Sequence, residues 1–194
     1  IGVTWTDQNA PTPAGGAEAL YCIDFIDENY GMCVGGTTGA SSVFLYTTDG
    51  GEHWTLGTGA TAEIQTGVSV IDSIHAWVTT ETGATYYTND YGTNWTARTL
   101  SSVPDALGDV DFIDRYNGTV AGFDTVGGNE LATIYRTFDG GYSWEEYQHD
   151  TAFDGAATYG LNSVVMLDAN HIFAVGEPVD SLGLIMELSA KGSV

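Results

Sequence analysis

Short apolar runs alternate with polar clusters along the whole chain, and this alternation predicts β-strands throughout. The runs are rich in Val, Ile, Thr, Tyr and Phe, whereas Gly, Asp and Asn fill the clusters between them. Runs of this kind, bounded by turn-forming residues, are typical of strands. No window places apolar residues at the helical spacing of three and four, so the pattern favours an all-β fold.

An eight-residue pattern, Thr-x-Asp-x-Gly-x-(polar)-Trp, occurs three times along the chain. Its aspartate can accept hydrogen bonds from turn amides, and its glycine supplies a positive φ. Its tryptophan offers a large surface for packing between adjacent sheets. We therefore expect a structural and not a catalytic role for the defining residues. These are Thr47, Asp49, Gly51 and Trp54, then Thr88, Asp90, Gly92 and Trp95, and finally Thr137, Asp139, Gly141 and Trp144.

We call each copy of the eight-residue pattern a box. A second repeated phrase, four residues long, lies upstream of the boxes, and each copy of it ends with an aspartate. The four copies begin at Asp24, Ser69, Asp111 and Val165. Phrase and box together predict a unit of four strands, a to d, in which the box joins strand c to strand d. Successive box tryptophans are separated by 41 and 49 residues, a period typical of β-propeller blades.

The repeats predict a single propeller domain over residues 1–194, built from four blades of four antiparallel strands. Gly2–Thr6 is similar to a strand d without its blade, and the last unit lacks a strand d. Closure of the ring by the N-terminal strand would remove both exposed edges. The alternative is a part of a six- to eight-bladed ring. The expected blades cover about 18–57, 62–98, 107–148 and 159–194, the last completed by strand 2–6.

These motifs resemble the Asp-box, or BNR, repeats of sialidase-like propellers. The same repeat occurs in sortilin-type receptors, xyloglucan-cleaving hydrolases and photosystem II assembly factors. The phrase Phe25-Ile26-Asp27-(x)-Asn29-(x)-Gly31, followed by Val34-Gly35, is especially similar to the repeats of the last two groups. The resemblance covers nearly the whole chain. It implies the fold strongly and the function weakly, because enzymes, receptors and scaffolds share the repeat.

The charge of the chain narrows the classes of partner. Twenty-six acidic residues against four basic ones give a net charge of −22. Nucleic acid binding is excluded, because recognition of the phosphate backbone needs clusters of Lys and Arg. Such an excess of negative charge keeps a surface hydrated, and dissolved salt screens its self-repulsion. The composition is consistent with a marine or halophilic habitat and equally with an ordinary acidic secreted protein.

The resemblance also implies what an enzyme or an assembly factor of this kind would need. Sialidases hold their substrate with three arginines. Here Arg115 and Arg136 are expected on the rim that carries the boxes, and only Arg98 is expected to point to the other rim. Photosystem assembly factors imply a basic, arginine-bearing patch across several blades. Because three arginines cannot form such a patch, the sequence argues against both functions.

Other chemistry is weakly indicated. A glycoside hydrolase needs two carboxylates at a suitable separation, and the rim opposite the boxes offers many without distinguishing a pair. We expect no catalytic residue, no metal site and no cofactor, with calcium held by acidic loops as the remaining alternative. Cys22 and Cys33 lie in neighbouring predicted strands, where they can form a disulfide or remain free.

The sequence therefore favours a non-catalytic extracellular module that contacts protein or glycan within a surface assembly. That assembly would be a cell-surface layer, an appendage, or a virus or phage particle, without nucleic acid or membrane insertion. Homo-oligomers, a carbohydrate-active enzyme and a purely architectural lattice or fibre subunit remain alternatives. The candidate contact rim is formed by Phe123, Asp124, Asp150, Phe153, Asp154, Tyr159, Glu177 and Asp180.

Overall fold

The chain forms four antiparallel sheets arranged as the blades of a β-propeller, which confirms the all-β prediction. The structure is a computed structural model that describes residues 4–12, 19–37, 42–58, 61–148, 160–176 and 183–189. Within these ranges every regular element is a strand. No helix long and apolar enough to cross a membrane occurs among the described residues.

Each blade runs through its strands in sequence order, and neighbouring strands in the order pair with one another. Blade 1 contains β1 (Ala19–Phe25), β2 (Gly31–Gly36), β3 (Ser42–Thr47) and β4 (Thr55–Leu56). Blade 2 contains β5 (Gln65–Val70), β6 (Ala76–Thr80), β7 (Thr85–Thr88) and β8 (Thr96–Arg98). Blade 3 contains β9 (Ala106–Phe112), β10 (Gly118–Val126), β11 (Asn129–Thr137) and β12 (Glu145–Gln148). Blade 4 contains β13 (Leu161–Asp168), β14 (His171–Gly176) and β15 (Leu184–Ser189).

The fourth sheet differs from the expectation, since it has three strands in the part of the chain that the structure describes. The N-terminal strand that was expected to complete it covers residues 2–6, of which 2 and 3 lie outside the described residues. Residues 4–6 are not in a strand, and the side chain of Trp5 is fully exposed. At these residues the expected closure by strand pairing is not formed.

Three apolar clusters hold successive blades together. Blades 1 and 2 share a cluster around Phe44 and Val68, and blades 3 and 4 share one around Ile134 and Leu161. The cluster between blades 2 and 3 is the most aromatic. In it the rings of Trp77 and Phe112 stack with centroids 4.5 Å apart, and Trp144 meets Trp77 edge-on at 5.8 Å. The described strands of blades 4 and 1 share no comparable packing.

A hydrogen bond from the first strand to the preceding blade repeats in blades 2, 3 and 4. The backbone N–H groups of Val70, Phe112 and Met166 each donate to a side chain at the start of the repeated phrase in the blade before. The three acceptors are Asp24 Oδ2 at 2.7 Å, Ser69 Oγ at 3.0 Å and Asp111 Oδ2 at 2.6 Å. We call these contacts the inter-blade hydrogen bonds. They satisfy backbone donors that face away from the sheet ladder.

A further aspartate, Asp109, reinforces the junction between blades 3 and 4. Its Oδ2 atom accepts from the Ser163 hydroxyl at 2.8 Å and from the Val164 backbone N–H at 3.1 Å. Burial raises the pKa of both Asp109 and Asp111, and these hydrogen bonds oppose that effect. The two perturbed carboxyl groups are thus engaged in holding blades together.

Each Asp-box closes its turn with one set of hydrogen bonds. In all three boxes the threonine hydroxyl donates to the aspartate at 2.9 Å and accepts from the glycine N–H at 2.9 Å. The aspartate also accepts a backbone N–H from the residue four positions later, at 2.8 to 2.9 Å. The three boxes thus share one geometry, in which these residues hold the turn between strands c and d.

The two cysteines are free and lie on opposite faces of blade 1. Cys22 pairs across the ladder with Val34, and Cys33 pairs with Ile23, so the two side chains point to different sides of the sheet. The disulfide considered from the sequence is therefore not formed. Burial raises the pKa of the Cys33 thiol to about 11, which keeps it protonated at neutral pH.

We expect Gly141→Ala to destabilise the protein by about 3 kcal/mol or more. Gly141 has φ of +74°, and an added methyl group would overlap the indole ring of Trp77. The backbone strain costs about 1–2 kcal/mol and overpacking adds a similar amount. Gly127→Ala is the matched control, because Gly127 also has a positive φ, +63°, but no atom within 4 Å of the added methyl. Urea unfolding measures both variants, and an equal loss in the free energy of unfolding would contradict this account.

The free energy of unfolding should rise as the pH falls from 7 toward the ordinary aspartate pKa of 3.8, and fall below it. The raised pKa of Asp109 means that the folded state holds the proton more tightly than the unfolded chain does. The cost of its charge is therefore present above the folded pKa and absent below 3.8. Relief of repulsion in a chain of charge −22 acts in the same direction.

Below the ordinary aspartate pKa, on the lower limb of the pH profile, the free energy of unfolding changes with pH in the opposite direction. A hydrogen bond from the His53 backbone N–H is the main cause that lowers the pKa of Asp49 to about 2. Its contribution is present above 3.8 and is lost as the pH falls toward about 2. Urea unfolding across the pH range would measure both limbs. Asp109→Asn should reduce the slope of the upper limb and leave the lower limb unchanged, and a steady loss of stability from pH 7 downward would refute the assignment.

Candidate functional site

Two of the eight predicted rim residues lie in described parts of the chain. Phe123 and Asp124 are half-buried in β10, and the Phe123 ring lies against Gly160. Phe123 therefore packs beneath its own rim. A binding role for the set stays a prediction. The other six residues, Asp150, Phe153, Asp154, Tyr159, Glu177 and Asp180, lie outside the described residues.

Arg98 lies beside the third Asp-box. Its guanidinium carbon is 4.5 Å from the ring centroid of Tyr142, a box residue, and 5.6 Å from that of Tyr87. The prediction that Arg98 points to the opposite rim is therefore wrong. The cation–π attraction of two tyrosine rings explains the direction that its side chain takes.

Arg115 is held next to this arginine–tyrosine contact by an aspartate from the neighbouring blade. Its Nε and Nη2 atoms donate to Asp72 Oδ2 at 3.0 Å and 2.6 Å. Asp72 also contacts the His75 ring nitrogen Nδ1, 2.6 Å from its Oδ1. Partial burial acts to raise the pKa of Asp72, but the hydrogen bonds from Ile74, His75 and Arg115 together hold it at about 2. Asp72 is thus a charged anchor at neutral pH.

Tyr87 connects the two arginines to the core of the molecule. Its ring stacks on His75 with centroids 5.9 Å apart and meets Trp77 at 5.2 Å. Tyr142 is 77% exposed and closes the outer side. We call Tyr87, Arg98, Arg115 and Tyr142 the Arg/Tyr surface. It lies at the junction of blades 2 and 3, on the rim that carries the boxes.

The Arg/Tyr surface has the chemistry of a protein contact. Arg98 forms no ion pair with a carboxylate among the described residues, and its buried Nε has no hydrogen-bond partner there. Tyrosine and arginine are enriched at the energetically dominant centres of protein interfaces. A guanidinium fork on an exposed tyrosine can take a carboxylate or backbone carbonyl groups of a partner.

Arg136 has a different role from the other two arginines. It donates to the Ala169 carbonyl at 3.1 Å, the Tyr147 hydroxyl at 2.8 Å and Glu145 at 3.2 Å. Ala169 belongs to blade 4, so Arg136 ties blade 3 to its neighbour. Its side chain is mostly buried, and this leaves the Arg/Tyr surface with Arg98 and Arg115.

One group of side chains in the described residues has the proximity of metal ligands: Asp49, Glu52 and His53. All three are exposed, and Asp49 already accepts hydrogen bonds from Thr47 and from the His53 backbone. The His53 ring nitrogen contacts Asp49 at 2.7 Å. These contacts complete a box turn and explain the group without an ion.

Comparison with known proteins identifies relatives of the chain. A sequence profile of the family described as "Photosynthesis system II assembly factor YCF48" matches residues 2–118. The photosystem II assembly lipoprotein Ycf48 of Synechococcus sp. (strain CC9902) is 31% identical over 152 residues, which cover 76% of this chain and 41% of the relative. The chain thus spans about two fifths of the length of this curated relative.

Solved structures show the same fold at lower identity. A structure of YCF48 bound to D1 peptide aligns with a TM-score of 0.56 and 20% identity, over 89% of this chain and 57% of that one. YCF48 from Cyanidioschyzon merolae aligns with a TM-score of 0.60 and 18% identity, over 95% of this chain and 55% of that one. The GH74 enzyme of Niastella koreensis aligns with a TM-score of 0.59 and 16% identity, over 89% of this chain and 30% of that one.

These findings overturn the functional expectations from the sequence. The charge argument against photosystem assembly factors is wrong, because the matching family is that of such a factor. The expected extracellular function, the protein or glycan partners in a surface assembly and the extracellular or virion location are wrong for the same reason. Sequence reasoning also missed Tyr87 and Tyr142. The chain belongs to the family of the photosynthesis system II assembly factor YCF48.

Proposed function

We propose that the chain is a non-catalytic assembly module that binds an extended segment of a photosystem II protein on the Arg/Tyr surface. Its family and the name of its Synechococcus relative support a role in assembly. A related structure holds YCF48 bound to D1 peptide, so a segment of D1 is the first candidate ligand. The observation that carries the proposal is the Arg98 guanidinium, 4.5 Å above the exposed ring of Tyr142.

Charge explains why this surface matters in this chain. The protein has a net charge of −22 and only four basic residues, so most of its surface repels an acidic segment. Arg98 and Arg115 concentrate half of these basic residues at one junction. Asp72 neutralises part of the positive charge of Arg115, whereas the guanidinium of Arg98 contacts tyrosine rings and no carboxylate among the described residues. Arg98 is therefore the strongest local attraction for a carboxylate or a run of carbonyl groups.

The geometry favours a neutral or weakly basic segment with one carboxylate aligned on Arg98. Overall repulsion would slow the approach of a highly acidic segment, and salt would reduce that penalty. Tyr142 adds apolar area with little loss of side-chain freedom, because its ring has two rotatable bonds. Specificity would thus come from the carboxylate position and affinity from the aromatic contact.

The same structure supports a non-catalytic role. Perturbed carboxyl groups are often catalytic, but Asp109 and Asp111 accept backbone N–H groups from blade 4. Burial at this blade junction raises the pKa of both groups against the effect of these hydrogen bonds, so a structural contact accounts for the shifts. The resemblance to a GH74 enzyme is at 16% identity and shows the fold.

The test is a binding titration, measured by fluorescence anisotropy, with labelled overlapping peptides that together cover the D1 protein. At least one peptide should bind the wild-type chain. Tyr142→Ala and Arg98→Gln should each weaken the binding of that peptide by roughly 10- to 100-fold, the range for residues at the centre of an interface. Tyr142 is largely exposed, so its loss should leave the free energy of unfolding within about 0.5 kcal/mol.

Val126→Ala is the matched control, because Val126 is exposed at the end of β10 on the opposite rim. It should leave peptide affinity unchanged. Equal affinity of wild type and both surface variants would place the peptide elsewhere on the molecule. Failure of every D1 peptide to bind would reject D1 as the partner.

A further inference from the structure

We propose that a cleft between blades 1 and 2, on the rim that carries the boxes, binds a basic side chain of the segment that the Arg/Tyr surface takes. The occupant that fits best is an arginine, because the neighbouring junction places its own arginines against tyrosine rings at the equivalent positions. In naming that segment as the donor, the inference rests on the proposed function, whereas the chemistry of the cleft stands on contacts of its own.

Three tyrosines line this cleft, which we call the tyrosine cleft. It is an open space of about 200 Å³ at the junction of blades 1 and 2. Tyr30 and Tyr46 come from blade 1, and Tyr91 comes from the box of blade 2. The ring centroids of Tyr46 and Tyr91 are 6.3 Å apart, with the two planes tilted by 46°. All three tyrosines are half-buried, and Asp72 forms part of the wall beside them.

The tyrosine cleft is the equivalent, one blade earlier, of the Arg/Tyr surface. Tyr46 and Tyr87 each come directly before the threonine of a box, and each pairs with the threonine that follows a box tryptophan. Asp72 belongs to both places, because it lines the cleft and also accepts the hydrogen bonds of Arg115 at 2.6 Å and 3.0 Å. The two sites therefore adjoin, so one extended segment can contact both.

Short residues replace both arginines of the Arg/Tyr surface at the equivalent positions around the cleft. Arg115 directly follows the last aspartate of its phrase, and Ser73 directly follows the last aspartate of the phrase in blade 2. Arg98 is the third residue after its box tryptophan, and the third residue after the tryptophan of the first box is Gly57. The loss of two long side chains explains why an open space remains beside the tyrosines at this junction.

The backbone conformation of Tyr91 is an independent observation. Its φ is +61°, a left-handed conformation that is strained for any residue with a side chain. The equivalent positions in the other two boxes are Gly50 and Gly140, with φ of +72° and +73°. In all three boxes the N–H group at this position donates to a carbonyl of the turn after the repeated phrase, at 3.0 to 3.3 Å. The turn thus needs no tyrosine, and strain of this kind is concentrated at functional sites.

Charge decides which kind of side chain the tyrosine cleft takes. The faces of tyrosine rings attract a cation, and a chain with a net charge of −22 draws basic groups toward its surface. Asp72 in the wall of the cleft would repel an acidic side chain. At the neighbouring junction the chain places the guanidinium of Arg98 against two tyrosine rings. A partner arginine would supply the same contact here, so the bound segment would carry a carboxylate for Arg98 and a basic residue one blade away.

The first experiment uses N-acetyl-L-arginine amide as a probe, so its result does not depend on D1. Titration of the ¹⁵N-labelled chain, followed by NMR, should shift the backbone amide signals of Tyr91 and Ser73 until they saturate. N-acetyl-L-citrulline amide has nearly the same shape without the charge, so it should bind at least roughly fivefold more weakly. Equal binding of the two probes, tighter binding of N-acetyl-L-norleucine amide, or shifts spread over the surface without saturation at the cleft would each overturn the proposal.

Tyr91→Gly removes one wall of the cleft and restores the residue that the other two boxes carry. It should weaken binding of the arginine probe by roughly 5- to 30-fold, the range of a partly desolvated cation–π contact. The midpoint of urea unfolding should not fall, because glycine adopts a positive φ without strain. Tyr116→Ala is the matched control, since Tyr116 is an exposed tyrosine on the same rim outside the cleft, and it should leave probe affinity unchanged. Equal effects of the two variants would reject the site.

Ser73→Arg tests the same site by adding a side chain. Arg115 reaches the last aspartate of the phrase in the preceding blade, and the corresponding aspartate for position 73 is Asp27. The introduced arginine should therefore occupy the cleft from within the chain and abolish saturable binding of the arginine probe. Unchanged binding would show that the probe lies elsewhere and that the assignment is wrong.

The D1 peptides of the binding titration separate this inference from the proposed function. A peptide that binds through an arginine or lysine should lose roughly 5- to 30-fold in affinity for Tyr91→Gly, and the loss should vanish when that basic residue is replaced by a neutral one. If a peptide depends on Arg98 and not on Tyr91, the proposed function holds and the inference is wrong. If every D1 peptide fails while the arginine probe binds at the cleft, D1 is rejected and the chemistry of the cleft is supported.

Discussion

The propeller depends on how each blade satisfies the backbone donors along the edge of its first strand. A strand edge buried inside a ring would leave N–H groups without partners, and each orphan would cost about 1–3 kcal/mol. In this chain a side chain from the preceding blade fills that need, with Asp24, Ser69 and Asp111 at equivalent positions. One residue per repeat thus sets the register between blades as well as their spacing.

Much of this fold could be predicted from the sequence, because its determinants are local. The box threonine, aspartate and glycine form their hydrogen bonds within four residues of one another. The inter-blade hydrogen bonds join residues more than 40 positions apart. Their signal was present as an Asp or Ser at the start of three phrases, but its meaning required the relative placement of two sheets.

The candidate site was harder to predict for the same physical reason. Arg98 was assigned to the wrong rim because strand direction gives no account of a tyrosine supplied by the next blade. Net charge misled in a similar way, since −22 describes the whole surface and recognition depends on a few side chains. Arg98 and Arg115 are brought together through contacts with Tyr142 and Asp72, so two arginines suffice for a local positive site.

The aromatic junction between blades 2 and 3 has a consequence for how the molecule opens. In an array of repeats, each unit is stabilised by its immediate neighbours. Blades 2 and 3 share the stacked rings of Trp77 and Phe112, so local opening should reach this junction late. The Arg/Tyr surface stands on that junction, so a segment bound there would keep its platform while other parts of the molecule fluctuate.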